Sequence, residues 1–193
     1  MLSLEESLKI LKETSALLEG HFILSSGLHS PQYVQCAKLL SKPDKANKIC
    51  VSLSEKIIDK FKDFDLVLSP AIGGIVIGYE IGRLLKKETI FSERVDGKFV
   101  LRRDFLIKKN QKVLIVEDVI TTGKSSIECS NIIQKMGAKI VGYACIIDRS
   151  NGRSLIKDKI VSQVQLNIPT YTKENLPKDL KGIDAIKPGS RML

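Results

Sequence analysis

The pattern of apolar and polar positions changes period several times along the chain. From Leu2 to Glu19, Leu4, Leu8, Leu11, Leu17 and Leu18 fall at helical spacing, and Gly20 stands where a helix would be capped. His21 to Gln35 predicts two short strands joined by a Ser/Gly/Pro turn. Pro43 and Asp44 open a helix to about Lys60, with Ile49, Leu53, Ile57 and Ile58 on one face. Asp65 to Leu68 is a buried strand, followed by a Ser69-to-Gly74 turn and a helix with Gly74, Gly78 and Gly82 in one row. Thr89 to Ser92 is the next strand, and Asp96-Gly97 between apolar runs predicts a hairpin. Val113 to Val116 is an unbroken apolar run rich in β-branched residues, as in strands buried on both faces of a parallel sheet. A helical pattern from Lys124 to Met136 ends at Gly137, and strands follow over Lys139 to Ile147 and Val161 to Ile168. The tail from Pro169 to Leu193 is read as packing a short helix on the surface.

Strands and helices alternate between residues 44 and 147, so the expected architecture is α/β with a central, mostly parallel sheet. Ligands of such sheets bind beyond the carboxyl ends of the strands. The turns at 70–74, 94–98, 117–125 and 148–149 all fall at such ends.

Composition narrows the class without choosing a function. The 193 residues, 43% apolar, suffice for one domain with a core, and neither a repeat nor a linker divides them. The first residues are acidic and amphipathic, unlike a signal peptide. No run reaches the ~18 apolar residues of a membrane span. Cys36, Cys50, Cys129 and Cys145 are scattered and read as buried reduced thiols, which points to the cytoplasm. His21 and His29 have no metal-ligand spacing and read as surface residues. The net charge of +9 fits a solvated lysine-rich surface or a site for a polyanionic small molecule. A nucleic-acid partner finds no support, because Trp is absent, aromatics are few and no binding motif is present.

The most informative stretch is Lys112 to Gly123 with Lys124 and Ser125 behind it. A buried strand runs into Glu117 and Asp118, then Val119-Ile120, Thr121-Thr122-Gly123 and a helix start. Amides at a helix start point at anions, Gly permits close approach, and hydroxyls add donors. Carboxylates repel phosphate but accept hydrogen bonds from sugar hydroxyls, as an acid does for ribose in dinucleotide folds. The combination suits a phosphorylated sugar. A Walker A loop would put its first Gly at Asp118, and a dinucleotide fingerprint needs more Gly than this turn has. An ordinary βα turn leaves the paired acids and clustered hydroxyls unexplained.

This stretch resembles the phosphoribosyl-diphosphate (PRPP) motif of the type I phosphoribosyltransferases, and Val113 to Gly123 matches it throughout. A second stretch, Phe22, Leu24, Ser26, Gly27, Ser30 and Tyr33, is similar to the F-x-L-x-S-G-x-x-S-x-x-Y signature of the orotate phosphoribosyltransferases. In that family a Lys precedes the Ser-Gly pair, and here Ser25 takes its place.

The resemblance implies an Mg²⁺-dependent transfer of ribose 5-phosphate from PRPP to orotate, in pyrimidine biosynthesis. Residues 1–193 would form one domain, with a hood from about residues 1–40 and part of the tail. Thr121, Thr122, Gly123, Lys124 and Ser125 would hold the 5-phosphate and Glu117 and Asp118 the ribose, with Val119 and Ile120 in the same PRPP-binding stretch. Gly73 and Gly74 would face pyrophosphate, while Arg94 and Lys98, less so Arg102 or Arg103, would cover it in a short-loop form of the family. Arg149, Thr121, Ser26 and Tyr33 would contact orotate. Mg²⁺ would ride on the diphosphate with no direct protein ligand. A homodimer is implied, because the family's covering loop reaches the neighbouring site. Two alternatives remain: a purine phosphoribosyltransferase, or a PRPP-sensing regulator that binds nucleic acid.

Overall fold

The computed structural model describes residues 1–188; the last five residues of the tail lie outside the described part. A helix α1 (Leu4–Glu13) leads into a hairpin of β1 (Leu17–Ile23) and β2 (His29–Val34), then α2 (Cys36–Leu40) and α3 (Pro43–Lys60). The rest is β3 (Leu66–Pro70), α4 (Gly73–Leu85), β4 (Glu88–Val95), β5 (Lys98–Leu101), β6 (Lys112–Ile120), α5 (Lys124–Lys135), β7 (Lys139–Asp148), β8 (Ile160–Gln165) and a short α6 (Lys178–Lys181).

Six strands form one sheet in the order β5-β4-β3-β6-β7-β8. All neighbours are parallel except β4 and β5, which make the hairpin predicted at Asp96-Gly97. Side chains alternate along each strand, so β6 divides its apolar run between two cores. Leu114 and Val116 pack with Ile49, Leu53, Ile57, Ile77 and Ile81 of α3 and α4. Val113 and Ile115 pack with Cys129 and Ile133 of α5 on the other face. The glycine row of α4 brings that helix close to the sheet: a methyl at Gly78 would lie 2.0 Å from Ser69 Oγ, and one at Gly82 would lie 1.8 Å from Thr89 Oγ1.

Several expectations need correction. The first helix ends at Glu13, and Leu17 and Leu18 belong to β1. Thr14 turns its hydroxyl back onto the Ile10 carbonyl at 2.8 Å, and Ser15 takes a positive φ that ends the helix. Gly20 is therefore no cap; it sits at the β-bulge between Glu19 and Phe22. Pro31 lies inside β2, an edge position that tolerates its missing N–H, and not in the turn. The last strand ends at Gln165, three residues short of Ile168. β6 also runs further than expected, so that Glu117 and Asp118 lie within the strand.

His21 and His29 are not surface residues. They are 5% and 7% exposed. His21 Nδ1 donates to the Ile183 carbonyl at 2.8 Å, which leaves Nε2 to accept from His29 Nδ1 at 2.7 Å. The tail buries them: His29 exchanges both backbone hydrogen bonds with Tyr171, and Ile186 bonds to His21 and Ile23. All four cysteines are buried and free, as expected. Among the described residues no helix is long and apolar enough to cross a membrane.

Candidate active site

The three central parallel strands, β3, β6 and β7, deliver their carboxyl ends side by side, so the turns at 70–74, 117–125 and 148–149 meet in one place. The β6–α5 turn is held from below. The Leu155 amide donates to the Thr122 carbonyl at 2.8 Å. Gly123 has φ +75°, and a methyl there would lie 2.9 Å from Ile156 Cγ1, so this position needs Gly for both conformation and space. Thr121, Thr122 and Lys124 are exposed on the open side. Among the described residues no backbone carbonyl accepts from the amides of Thr122, Gly123 or Ser125. These orphan donors at the start of a twelve-residue helix are suited to receive an anion.

The two acids leave β6 on opposite faces, as the pleat requires. Glu117 turns toward α5, where its Oε2 accepts from Ser126 Oγ at 2.5 Å. Burial pushes its carboxyl up to about 7; Ser126 works against that shift, and Asp118 adds to it. Asp118 turns toward the start of α4. Its Oδ1 accepts from the Val119 amide at 2.9 Å, and a methyl on Gly73 would lie 2.8 Å from that same oxygen. Burial also raises the Asp118 carboxyl. Gly74 is equally confined, with Pro70, Ser69 and the Val116 carbonyl all near 3.1–3.2 Å from where a Cβ would stand. Two partly buried carboxylates whose pKa values burial raises, side by side at the end of one strand, make this turn a candidate functional site.

Arg149 follows β7 and is half-buried, with its amide donating to the Ile120 carbonyl at 2.9 Å. Burial works against its charge and lowers its pKa, while the Tyr33 hydroxyl of β2 lies close enough to act in the opposite sense. Arg149 makes no ion pair among the described residues. Its neighbour Asp148 accepts from the Ser150 amide at 2.8 Å, so the two do not form the local pair that sequence alone allowed. Tyr33 is half-buried against Phe22, and Ser26 is exposed at the tip of the β1–β2 turn beside Ser25.

The basic residues of the β4–β5 hairpin are distributed unevenly. Arg94 meets Glu128 of α5 at 3.0 Å, lies 4.1 Å over the Phe99 ring and donates to the Gly97 carbonyl. Arg103 is engaged by Glu93 at 2.9 Å and lies over Phe91. Lys98 and Arg102 are exposed. Sequence reasoning missed Ser126, Glu128 and the 154–156 segment under Gly123. Ser126 carried a signal: it shares the inward face of α5 with Cys129, Ser130 and Ile133, where a hydroxyl needs a partner.

Residues 37–175 match the family model described as "Phosphoribosyl transferase domain". The chain is 47% identical over 188 residues to the orotate phosphoribosyltransferase of Parvibaculum lavamentivorans, covering 97% of each protein. It is 45% identical to the orotate phosphoribosyltransferase of Rhizorhabdus wittichii, covering 97% of this chain and 96% of the relative. Among solved structures, the orotate phosphoribosyltransferase of Aeropyrum pernix is similar in fold, with TM-score 0.69 at 24% identity over 82% of this chain and 92% of that one. The adenine phosphoribosyltransferase of Saccharomyces cerevisiae has the same fold, with TM-score 0.67 at 16% identity over 81% of this chain and 99% of that one.

Proposed function

The chain belongs to the phosphoribosyltransferase family and, within it, to the orotate phosphoribosyltransferases, and we propose from that premise that it makes orotidine 5′-phosphate from PRPP and orotate. The observation that carries the proposal is the meeting of three features at one sheet end: orphan amides at the start of α5, two carboxylates on β6, and a half-buried arginine with no acid partner among the described residues. A phosphate, a pentose and a carboxylate-bearing base would satisfy all three.

The bond between the sugar's anomeric carbon and pyrophosphate breaks with its electron pair leaving on pyrophosphate, a bond from that carbon to N1 of orotate forms, and the N1 proton is released to water or to the departing pyrophosphate. Positive charge develops on the ring meanwhile, so the protein's work is positioning and charge stabilisation. Amides and hydroxyls from Thr121 to Ser125 hold the 5-phosphate. Glu117 and Asp118 accept hydrogen bonds from the ribose hydroxyls and favour a cationic ring. Gly73 and Gly74 let the backbone approach the diphosphate, and Arg94 and Lys98 balance its charge. Arg149 grips the orotate carboxylate, where a planar fork suits better than an ammonium; Thr121, Ser26 and Tyr33 complete the base site. Mg²⁺ would be held by the diphosphate oxygens and its own waters, with no direct ligand from this chain, and would supply charge neutralisation for the leaving group.

We read the chain as one domain whose hood comprises residues 1–40 and part of the tail. Ile72, Val76 and Tyr79 line the outer side of α4 and are 86%, 52% and 65% exposed. Such an apolar row beside the hairpin that carries Arg94 and Lys98 suits burial against a second copy of the chain. The protein is accordingly proposed to be a cytoplasmic homodimer in pyrimidine biosynthesis, with no nucleic-acid or membrane partner. Mixing it with PRPP, Mg²⁺ and either orotate or hypoxanthine tests the assignment. Orotate should disappear and pyrophosphate form. Consumption of hypoxanthine alone would assign a purine enzyme, and consumption of neither base would reject catalysis.

A further inference from the structure

Ser126 is fully buried in the first turn of α5, at a helix position that would ordinarily take an apolar side chain. Its hydroxyl has one proton, and that proton goes to Glu117 Oε2 at 2.5 Å. The residue is itself held in place. Ser130 Oγ donates to the Ser126 carbonyl at 2.8 Å, so its oxygen is left to accept from the Tyr143 hydroxyl at 2.6 Å. Tyr143 is buried on β7, only 1% exposed. A strand residue, two serines of α5 and the acid on β6 thus form one directed set of hydrogen bonds. A hydroxyl buried this way costs stability unless it is hydrogen-bonded, so Ser126 depends on Glu117 as its partner.

The surroundings of Glu117 make that partner important. Asp118 is next to it on β6, Cys129 faces it from α5, and Cys145 lies opposite on β7. Arg94 of the β4–β5 hairpin is paired with Glu128. Among the described residues no cation comes within ion-pair distance of Glu117, so Ser126 is the side chain that stabilises its charged form.

We propose that Ser126 is a positioning residue for the transfer reaction: its hydroxyl holds the Glu117 carboxylate in one orientation at the end of β6 and keeps it able to accept the sugar's hydroxyls. The proposal rests on the reading of this turn as a pentose-phosphate cradle. Without the hydroxyl, Glu117 turns freely and takes up a proton more readily, and the protonated acid is the poorer partner for a developing cation.

The test is kcat/KM for PRPP against pH in the full-length protein, for wild type, Ser126→Ala and Ser126→Thr, with a Glu117→Ala/Ser126→Ala cycle. Ser126→Ala should lose about tenfold at neutral pH and less at alkaline pH, with its acid limb moved upward by about half a unit or more. Ser126→Thr should restore the limb. In the Glu117→Ala background, removing the hydroxyl should change the rate by less than about twofold. A superimposable profile, a loss equal at every pH, or an undiminished effect without Glu117 would each overturn the proposal. Wild-type turnover on orotate judges the cradle itself, so failure of the cradle and failure of the Ser126 role give different results.

Discussion

The carboxylate of Asp118 occupies the space that any side chain on residue 73 would need, since a methyl there would lie 2.8 Å from its Oδ1. The turn after β3 and the acid of β6 are therefore fitted to each other. Gly73 is exposed and begins α4, where Ala would be a better helix former. Gly73→Ala should leave the melting temperature unchanged or raise it while kcat falls by at least about tenfold, because Asp118 must turn away. Thermal unfolding together with steady-state rates checks this; full activity in the variant would show that Asp118 is free to move.

Glu117 gives a prediction in which stability and activity change in opposite directions. Burial, opposed by Ser126, holds its carboxyl at about 7 in the fold against 4.5 as the ordinary value. The folded state binds the proton more tightly, so this group's contribution is fully present below pH 4.5 and is lost as pH rises through 7. Glu117→Gln removes that loss. At about pH 8 the ligand-free variant should be more stable than wild type by up to about 3 kcal/mol, and the gap should close toward pH 4. Turnover should fall. Denaturant unfolding at the two pH values measures the difference, and a pH-independent gap would contradict the buried-acid account.

Arg149 has burial without an acid partner, a costly state that an anionic ligand relieves. Arg149→Ala should raise the KM for orotate at least about tenfold and the KM for PRPP far less. Paired titrations of the two substrates check this, and equal effects would remove the carboxylate contact.

Arg94 is held on the flank of α5 by Glu128 and Phe99. Arg94→Ala should slow turnover by about tenfold or more with the fold intact, because the leaving diphosphate loses a cation. Glu128→Gln should weaken the hold on Arg94 and change kcat while leaving the KM for orotate alone. A wild-type rate in Arg94→Ala would take this residue out of the mechanism.

The parts of the fold legible in the sequence are those where local pattern and tertiary role coincide. β6 announced itself through an unbroken apolar run rich in β-branched residues, and its acids and hydroxyls followed at fixed spacing. The hood was less legible. Leu18 falls seven residues after Leu11 and so continues the helical spacing of α1, but Thr14 and Ser15 end the helix before it and Leu17 and Leu18 enter β1. His21 and His29 look like surface residues because Tyr171, Ile183 and Ile186, which bury them, lie well over a hundred residues away. Spacing within α5 places Ser126 on its inward face, but the partners of Ser126 and Glu128 lie across the packing of α5 on the sheet, which that spacing does not encode.

The central claim is that the β6–α5 turn cradles a phosphorylated pentose between orphan amides and two carboxylates. A crystal structure of the protein with PRPP and Mg²⁺ tests it most directly. The 5-phosphate should lie within hydrogen-bond reach of the amides of Thr122, Gly123 and Ser125, with the ribose hydroxyls on Glu117 and Asp118. PRPP bound elsewhere, or bound at this turn with both carboxylates facing away from the sugar, would contradict the account.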